Sequence, residues 1–233
     1  MHEELKHQVA LSSRILAAAG HGDLIWGHTS VRDPEGKGVW IKAAGWGLDE
    51  VTAERVHLVD EDGALVMGDG QPHSECAIHT EIMAARPDVG AVVHTHPPHA
   101  VALAALGQEL KAVSHAANLF TPPGVPRFTR TADLILTREL GAAVAQSLGD
   151  RNALFLVNHG IVTVGRDVKE ATVAAVVLER ACQQQLLTAT GGGWPTWSPP
   201  EESLAKREHI YHDAAVASVW DYLVRQLPTR KGE

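Results

Sequence analysis

The chain has 233 residues, 45% apolar and 21% charged, with a formal net charge of −8 at pH 7. That length and balance suffice for one soluble globular domain with a full core and no need of disulfides, while the acidic balance argues against nucleic acid as a partner, because phosphate backbones call for a basic surface. No apolar run reaches the ~18 residues of a membrane span, and the opening Met1-His-Glu-Glu-Leu-Lys6 begins an amphipathic helix rather than a signal peptide. Cys76 and Cys182 form no CxxC pair, so the expected setting is the cytoplasm.

Apolar spacing and stop signals give the elements in order. Leu5 to Ala19 reads as a helix ended by Gly20, and Val39 to Lys42 as a strand. Arg55 to Met67 reads as two strands turned at Asp60-Glu-Asp-Gly63. Glu75 to Arg86 is a short helix stopped before Pro87; Ser74 can cap it, and the Glu75 carboxylate suits the positive end of its dipole.

Gly90-Ala-Val-Val-His-Thr-His-Pro-Pro98 is the most telling stretch. In a strand, alternate side chains share a face, so His94 and His96 project together, about 6.6 Å apart along the chain. On a helix they would diverge by roughly 200°. Two imidazoles so placed can share one cation, and Pro97-Pro98 removes two backbone donors, which puts the pair at a strand's mouth. An alanine-rich helix from Ala100 to Leu106, an irregular Thr121-Pro-Pro-Gly-Val-Pro126 segment and a helix from Leu134 to Leu148 follow. Ala153 to Val164 makes two short strands broken at Gly160, with His159 at the break. A third neutral histidine beside the first two makes a catalytic type of metal site, with positions open for substrate or water. Read singly, each histidine also serves as a strand-end residue bonded to backbone, and Glu75 as a first-turn acid.

Asp167 caps a long helix through Leu187, and Gly191 to Pro200 links it to a last helix, Glu202 to Leu227. Roughly 30 residues cannot make a core of their own, so residues 191–233 are expected to complete the domain formed by residues 1–190. Helices flanking a sheet of mostly non-sequential strands imply an α/β chain folded as a three-layer α/β/α sandwich.

Gly27-His-Thr-Ser30, Pro72-His-Ser-Glu75, Ala85-Arg-Pro-Asp-Val-Gly-Ala-Val-Val-His-Thr-His96 and Val157-Asn-His-Gly160, in that order, resemble the motifs of the class II aldolase/adducin family over roughly residues 5 to 190. The resemblance implies a central mixed, largely antiparallel sheet and one divalent metal ion per subunit, zinc foremost and manganese, cobalt or iron as further candidates. It makes His94, His96 and His159 the ligands and Glu75 the acid/base residue. It also implies a cyclic homotetramer with active sites at subunit interfaces, where His115, in Val113-Ser-His-Ala116, matches the place of an acid/base residue brought by a neighbouring subunit. The small-molecule substrate would meet the loops carrying His28, Ser30, Trp46, His73 and Ser74.

The departures from the family pattern bear on the substrate. Sugar-phosphate members hold phosphate with small hydroxyl and amide residues, whereas this chain has His28, Ala43-Ala44-Gly45-Trp46-Gly47 and His73 at those places. A substrate without phosphate is therefore expected, with His28 and His73 recognising a carboxylate. The Gly-His-x-Ser loop and Trp220-Asp-Tyr-Leu223 are more similar to the branch containing metal-dependent decarboxylases of aromatic and pyridine carboxylic acids. Three neutral histidines leave the ion its double charge, suited to stabilising the enolate or enediolate formed when a C–C bond breaks. A lyase is thus expected, a decarboxylase ahead of an aldolase. Two alternatives stand beside it: a non-haem iron oxygenase with Glu75 as a ligand, and a non-catalytic adducin-like scaffold, which lacks the metal histidines.

Overall fold

Which side chains alternate into which core decides the architecture of residues 2–192 and 196–228, the part of the chain that the computed structural model describes. Eight strands form one sheet: β1 His28–Arg32, β2 Val39–Lys42, β3 Val56–Val59, β4 Leu65–Met67, β5 Ala91–Thr95, β6 Arg127–Phe128, β7 Ala153–Leu156 and β8 Gly160–Gly165. Their spatial order is β4-β3-β2-β1-β5-β8-β7-β6. Every neighbouring pair is antiparallel except β6 with β7, so the sheet is mixed and largely antiparallel.

The helices are α1 His2–Leu16, α2 Cys76–Ala85, α3 Pro98–Ala105, α4 Arg138–Leu148, α5 Val168–Thr190, α6 Pro200–Ile210 and α7 Asp213–Arg225. Along β5, Ala91 and Val93 enter a core shared with α3 and α5, while Val92 enters the core beneath α2 and α4. This two-sided burial gives the three-layer α/β/α sandwich. Helix α5 starts at Asp167, whose side chain accepts from the Glu170 N–H. Gly141 lets α4 approach α2, since a Cβ there would lie 2.4 Å from the Ala77 carbonyl oxygen. Trp220 of α7 is buried in the α5 core, and Ser203 of α6 donates to the Asn118 side chain. Among the described residues no helix is long and apolar enough to cross a membrane.

Several boundaries differ from the sequence reading. His28, Thr29 and Ser30, which the family resemblance places on a loop, belong to β1, bonded on one side to β2 and on the other to β5; pairing with both neighbours outweighs a polar composition that reads as a turn. Helix α4 begins at Arg138 rather than Leu134, because the Thr137 side chain accepts from the Leu140 N–H and sets the start. Ser74 does not cap α2: Glu75 itself occupies the cap position, without a side-chain capping bond. The last helix is two helices, because His212 is extended and its ring accepts from the Ala215 N–H to begin α7. Residues 193–195 of the expected linker and residues 229–233 lie outside the described residues.

Candidate metal centre

The end of β5 and the turn into β8 bring three imidazoles together. His94, inside β5 and fully buried, pairs across the sheet with Val162, and its Nδ1 lies 2.9 Å from the Ile161 carbonyl oxygen. A carbonyl only accepts, so Nδ1 carries the hydrogen. Burial pushes the His94 pKa well below its ordinary value, which leaves the ring neutral with a bare lone pair on Nε2. His96, just past the strand, holds Nδ1 2.9 Å from Asp23 Oδ2. Burial lowers its pKa too, against the carboxylate. The same tautomer follows.

The two Nε2 atoms stand 3.1 Å apart. With both Nδ1 hydrogens engaged, this is a meeting of two lone pairs, which a cation between them would turn from repulsion into coordination. His159 reaches the same point from the β7–β8 turn, where Asn158 takes a left-handed backbone (φ 59). Its Nε2 is buried and has no hydrogen-bond partner. The ligand atoms of His94, His96 and His159 all lie within 4.8 Å of one another. Gly160 leaves room for the rings, since a Cβ there would lie 2.6 Å from His96 Cδ2 and 3.1 Å from His94 Cε1. An orphaned nitrogen, two facing lone pairs and a glycine cradle fit a divalent ion with nitrogen ligands.

Glu75, at the start of α2, borders the three rings. Its Oε1 accepts from the Ile135 N–H at 2.8 Å and lies 3.6 Å from His159 Nε2. Oε2 is 3.7 Å from His94 Nε2 and 3.9 Å from His28 Nε2. Burial alone would raise the carboxyl's pKa, but the surrounding imidazoles of His159, His28 and His94 hold it well below the usual carboxylate range. An ionised oxygen is thus fixed beside the three imidazoles, and His28, Glu75 and His94 form a second group with metal-ligand spacing.

The other expected site residues divide. His28 and His73 are buried at the centre, their rings 3.8 Å apart, and burial brings His73 down to about 4 with help from the charge of Lys42. Ser30 is fully buried and bonded to His79, turned to the helix rather than to open space. Ser74 is exposed and borders a polar recess with Glu61, Asp62 and Arg138. Trp46 is exposed, with the Arg55 guanidinium 3.4 Å over its ring. His115 is exposed, and its carbonyl accepts from the Tyr211 hydroxyl.

Three participants escape sequence reading. Asp23 orients His96 from the segment after α1. His21, buried, bonds Thr95 between the two strand histidines at 2.9 Å. Lys42 is fully buried, donates to the Ile25 and Ala43 carbonyls, and is pushed down to about 8 by burial. Only Lys42 leaves a signal, as a charge ending an apolar strand.

Residues 7–186 match the family described as class II aldolase and adducin N-terminal domain. The chain is 30% identical over 204 residues to a 3,4-dihydroxyphthalate decarboxylase of Arthrobacter keyseri, with 82% of each chain covered. It is 33% identical over 189 residues to a 5-deoxy-D-ribulose 1-phosphate aldolase of Bacillus thuringiensis serovar kurstaki, covering 79% of this chain and 86% of that one. Its fold superposes on an aldolase II superfamily protein from Pseudomonas syringae with a TM-score of 0.86 and 30% identity, covering 97% and 92% of the two chains.

Proposed function

Because the chain belongs to the class II aldolase and adducin family, we propose that its histidine centre makes it a metal-dependent carbon–carbon lyase, acting as a decarboxylase on a hydroxy or aromatic carboxylic acid without phosphate. The observation that carries this reading is the pair of lone pairs on His94 and His96 with the orphaned His159 Nε2, all beside an ionised Glu75. A divalent ion bound there, zinc foremost, supplies a Lewis acid for negative charge developing on oxygen next to a breaking C–C bond. Glu75 takes a proton from a substrate hydroxyl as charge develops and returns it to the carbon that the bond leaves behind. Such proton transfer contributes about 10² to 10⁴ in rate. The Ile135 amide keeps that carboxylate pointed at the centre.

The loop after β2 favours a substrate without phosphate. The Ala43 N–H is already bonded to the Arg55 carbonyl and the Ala44 N–H to that of Gln71, while the Gly47 N–H donates to Glu50. Three of the loop's backbone donors are thus already engaged, and from Ala43 to Gly47 no side-chain hydroxyl or amide is present to bind phosphate oxygens. Lys42 beside His73 supplies one buried positive charge, suited to a carboxylate. His115 would serve the centre of a neighbouring copy, which makes an oligomer with sites at its interfaces part of the reading. Aldol cleavage is the second reading, favoured by the 33% identity to an aldolase.

The test is an anaerobic screen of zinc-, manganese- and cobalt-loaded enzyme, with an aerobic arm of iron-loaded enzyme beside it, against dihydroxyaromatic carboxylates, free hydroxy acids and sugar phosphates, with carbon dioxide and aldehyde release read together. Carbon dioxide from a free acid is the expected result. Aldehyde release alone would replace decarboxylation by aldol cleavage, preference for phosphorylated substrates would overturn the substrate class, and turnover only with iron and oxygen would overturn the lyase.

A further inference from the structure

Behind Glu75 a line of buried polar side chains runs away from the ligands into the sheet. His28 Nε2 faces Glu75 Oε2 at 3.9 Å; His28 Nδ1 lies 2.6 Å from His79 Nε2; His79 Nδ1 lies 2.6 Å from Ser30 Oγ. All three residues are fully buried. The local geometry explains the alignment. His28 and Ser30 are alternate residues of β1 and share its face, and His79 lies four residues after Glu75 on the helix above, so both reach down to the same strand. The His73 ring packs on His28 at 3.8 Å and restricts its rotation.

Each of the two short contacts needs one donor and one acceptor, so the chain of hydrogens can run in only two directions. In one, the Ser30 hydroxyl donates to His79 Nδ1, His79 Nε2–H donates to His28 Nδ1, and His28 Nε2–H points toward Glu75. In the other, every hydrogen is reversed and a His28 lone pair faces an acceptor-only carboxylate inside the protein. The first is electrostatically favourable and the second is not. His28 Nε2 is nonetheless buried without a hydrogen-bond partner. At 3.9 Å from the carboxylate it is too far for a direct bond, but an oxygen lying to one side can bond both at about 2.8 Å.

We propose that His79 and Ser30 are positioning residues that hold His28 in the tautomer with hydrogen on Nε2, so that His28 donates to a substrate hydroxyl oxygen whose own hydrogen Glu75 accepts. The acceptor rests on the lyase reading; the tautomer does not. Ser30 thereby acts through His28 rather than on substrate.

The tautomer is read directly, in zinc-loaded and zinc-free protein labelled with ¹⁵N-histidine, from the ring nitrogen spectrum of His28 assigned by its loss in His28→Gln. Hydrogen on Nε2 is expected in wild type. Turnover supplies the second arm, at matched zinc content and melting temperature. A glutamine at position 79 sets its amide N–H near the lost Nε2 and can still donate to His28, whereas asparagine reaches only the Ser30 side and phenylalanine neither. His79→Asn and His79→Phe should lose about 10- to 100-fold in kcat, with His79→Gln staying within about threefold of wild type. Hydrogen on Nδ1 of wild-type His28, or equal kcat in His79→Gln and His79→Phe, would overturn the relay. If the position-79 variants fail to fold, the wild-type spectrum alone decides. The expected tautomer in a protein with no lyase activity would sustain the relay and remove the lyase.

Discussion

Replacing Gly160 by alanine tests whether the histidine cluster is built for a metal. The glycine's backbone is not left-handed, so the change acts through the added methyl alone. That carbon would lie 2.6 Å from His96 Cδ2, 2.6 Å from the Thr95 carbonyl oxygen and 3.1 Å from His94 Cε1. Carbon atoms pack best at about 3.5 to 4.0 Å, so the neighbours must retreat by roughly 1 Å. The Thr95 carbonyl has little freedom, because Thr95 pairs with Ile161 and His94 with Val162 across the β5–β8 ladder. The rings are held in turn by the Ile161 carbonyl and by Asp23. Overpacking of this kind costs about 1 to 3 kcal/mol. With about 2.1 cal/mol/K of unfolding entropy per residue, a chain of 233 residues should then melt about 2 to 6 °C lower. Ligand nitrogens displaced by several tenths of an ångström should bind zinc at least about tenfold more weakly. Calorimetry of the metal-free protein and competition with a chelator measure the two effects separately. Gly22→Ala is the control, since a Cβ there meets only Ala17 Cα at 4.0 Å. Unchanged melting and zinc affinity in Gly160→Ala would refute the steric argument and, with it, the role of Gly160 as a cradle.

His96→Ala should remove most bound zinc, measured by elemental analysis after dialysis; full occupancy would exclude His96 as a ligand. Glu75→Gln keeps shape while ending proton exchange, so turnover should fall by about two or more orders of magnitude with metal retained; near wild-type turnover would move the acid/base role to His115. The metal-free protein should also be acid-labile. Burial brings His21 and His79 down to about 3 and His73 to about 4, whereas the unfolded chain protonates these rings near 6.5. The folded state therefore binds fewer protons below pH 6.5, and stability is complete above that value and declines as pH falls toward 3 to 4. At roughly 1.4 kcal/mol per histidine for one unit below 6.5, these three together remove about 4 kcal/mol near pH 5.5. Urea midpoints that coincide at pH 7.5 and 5.5 would contradict it.

The parts of the centre legible in the sequence are those fixed by local geometry. A period of two along β5 is enough to bring His94 and His96 to one side, and Gly160 interrupting an apolar run is enough to single out His159. Glu75 is less local: its place at the head of α2 can be read, but its approach to the ligands depends on the helix lying over β1 and β5. Strand β1 does not stand out in the sequence because His28, Thr29 and Ser30 are polar; they are buried only because strands pair on both edges and α2 covers one face.

Partners of those residues are a different matter, because each comes from a distant part of the chain. His94 is oriented by a carbonyl 67 residues on, His96 by a carboxylate 73 residues back, and Glu75 by an amide 60 residues on. No periodicity links such positions; the sheet order and the packing of α2 do. The nitrogen opposite each strand ligand is therefore set by a different element, β8 for His94 and the segment after α1 for His96. Either ligand can lose its orientation without any change in the HxH motif, so the motif alone does not specify a working centre. What specifies it is the agreement of a local pattern with several remote hydrogen-bond partners, and the His28–His79–Ser30 line extends that agreement one shell deeper into the sheet.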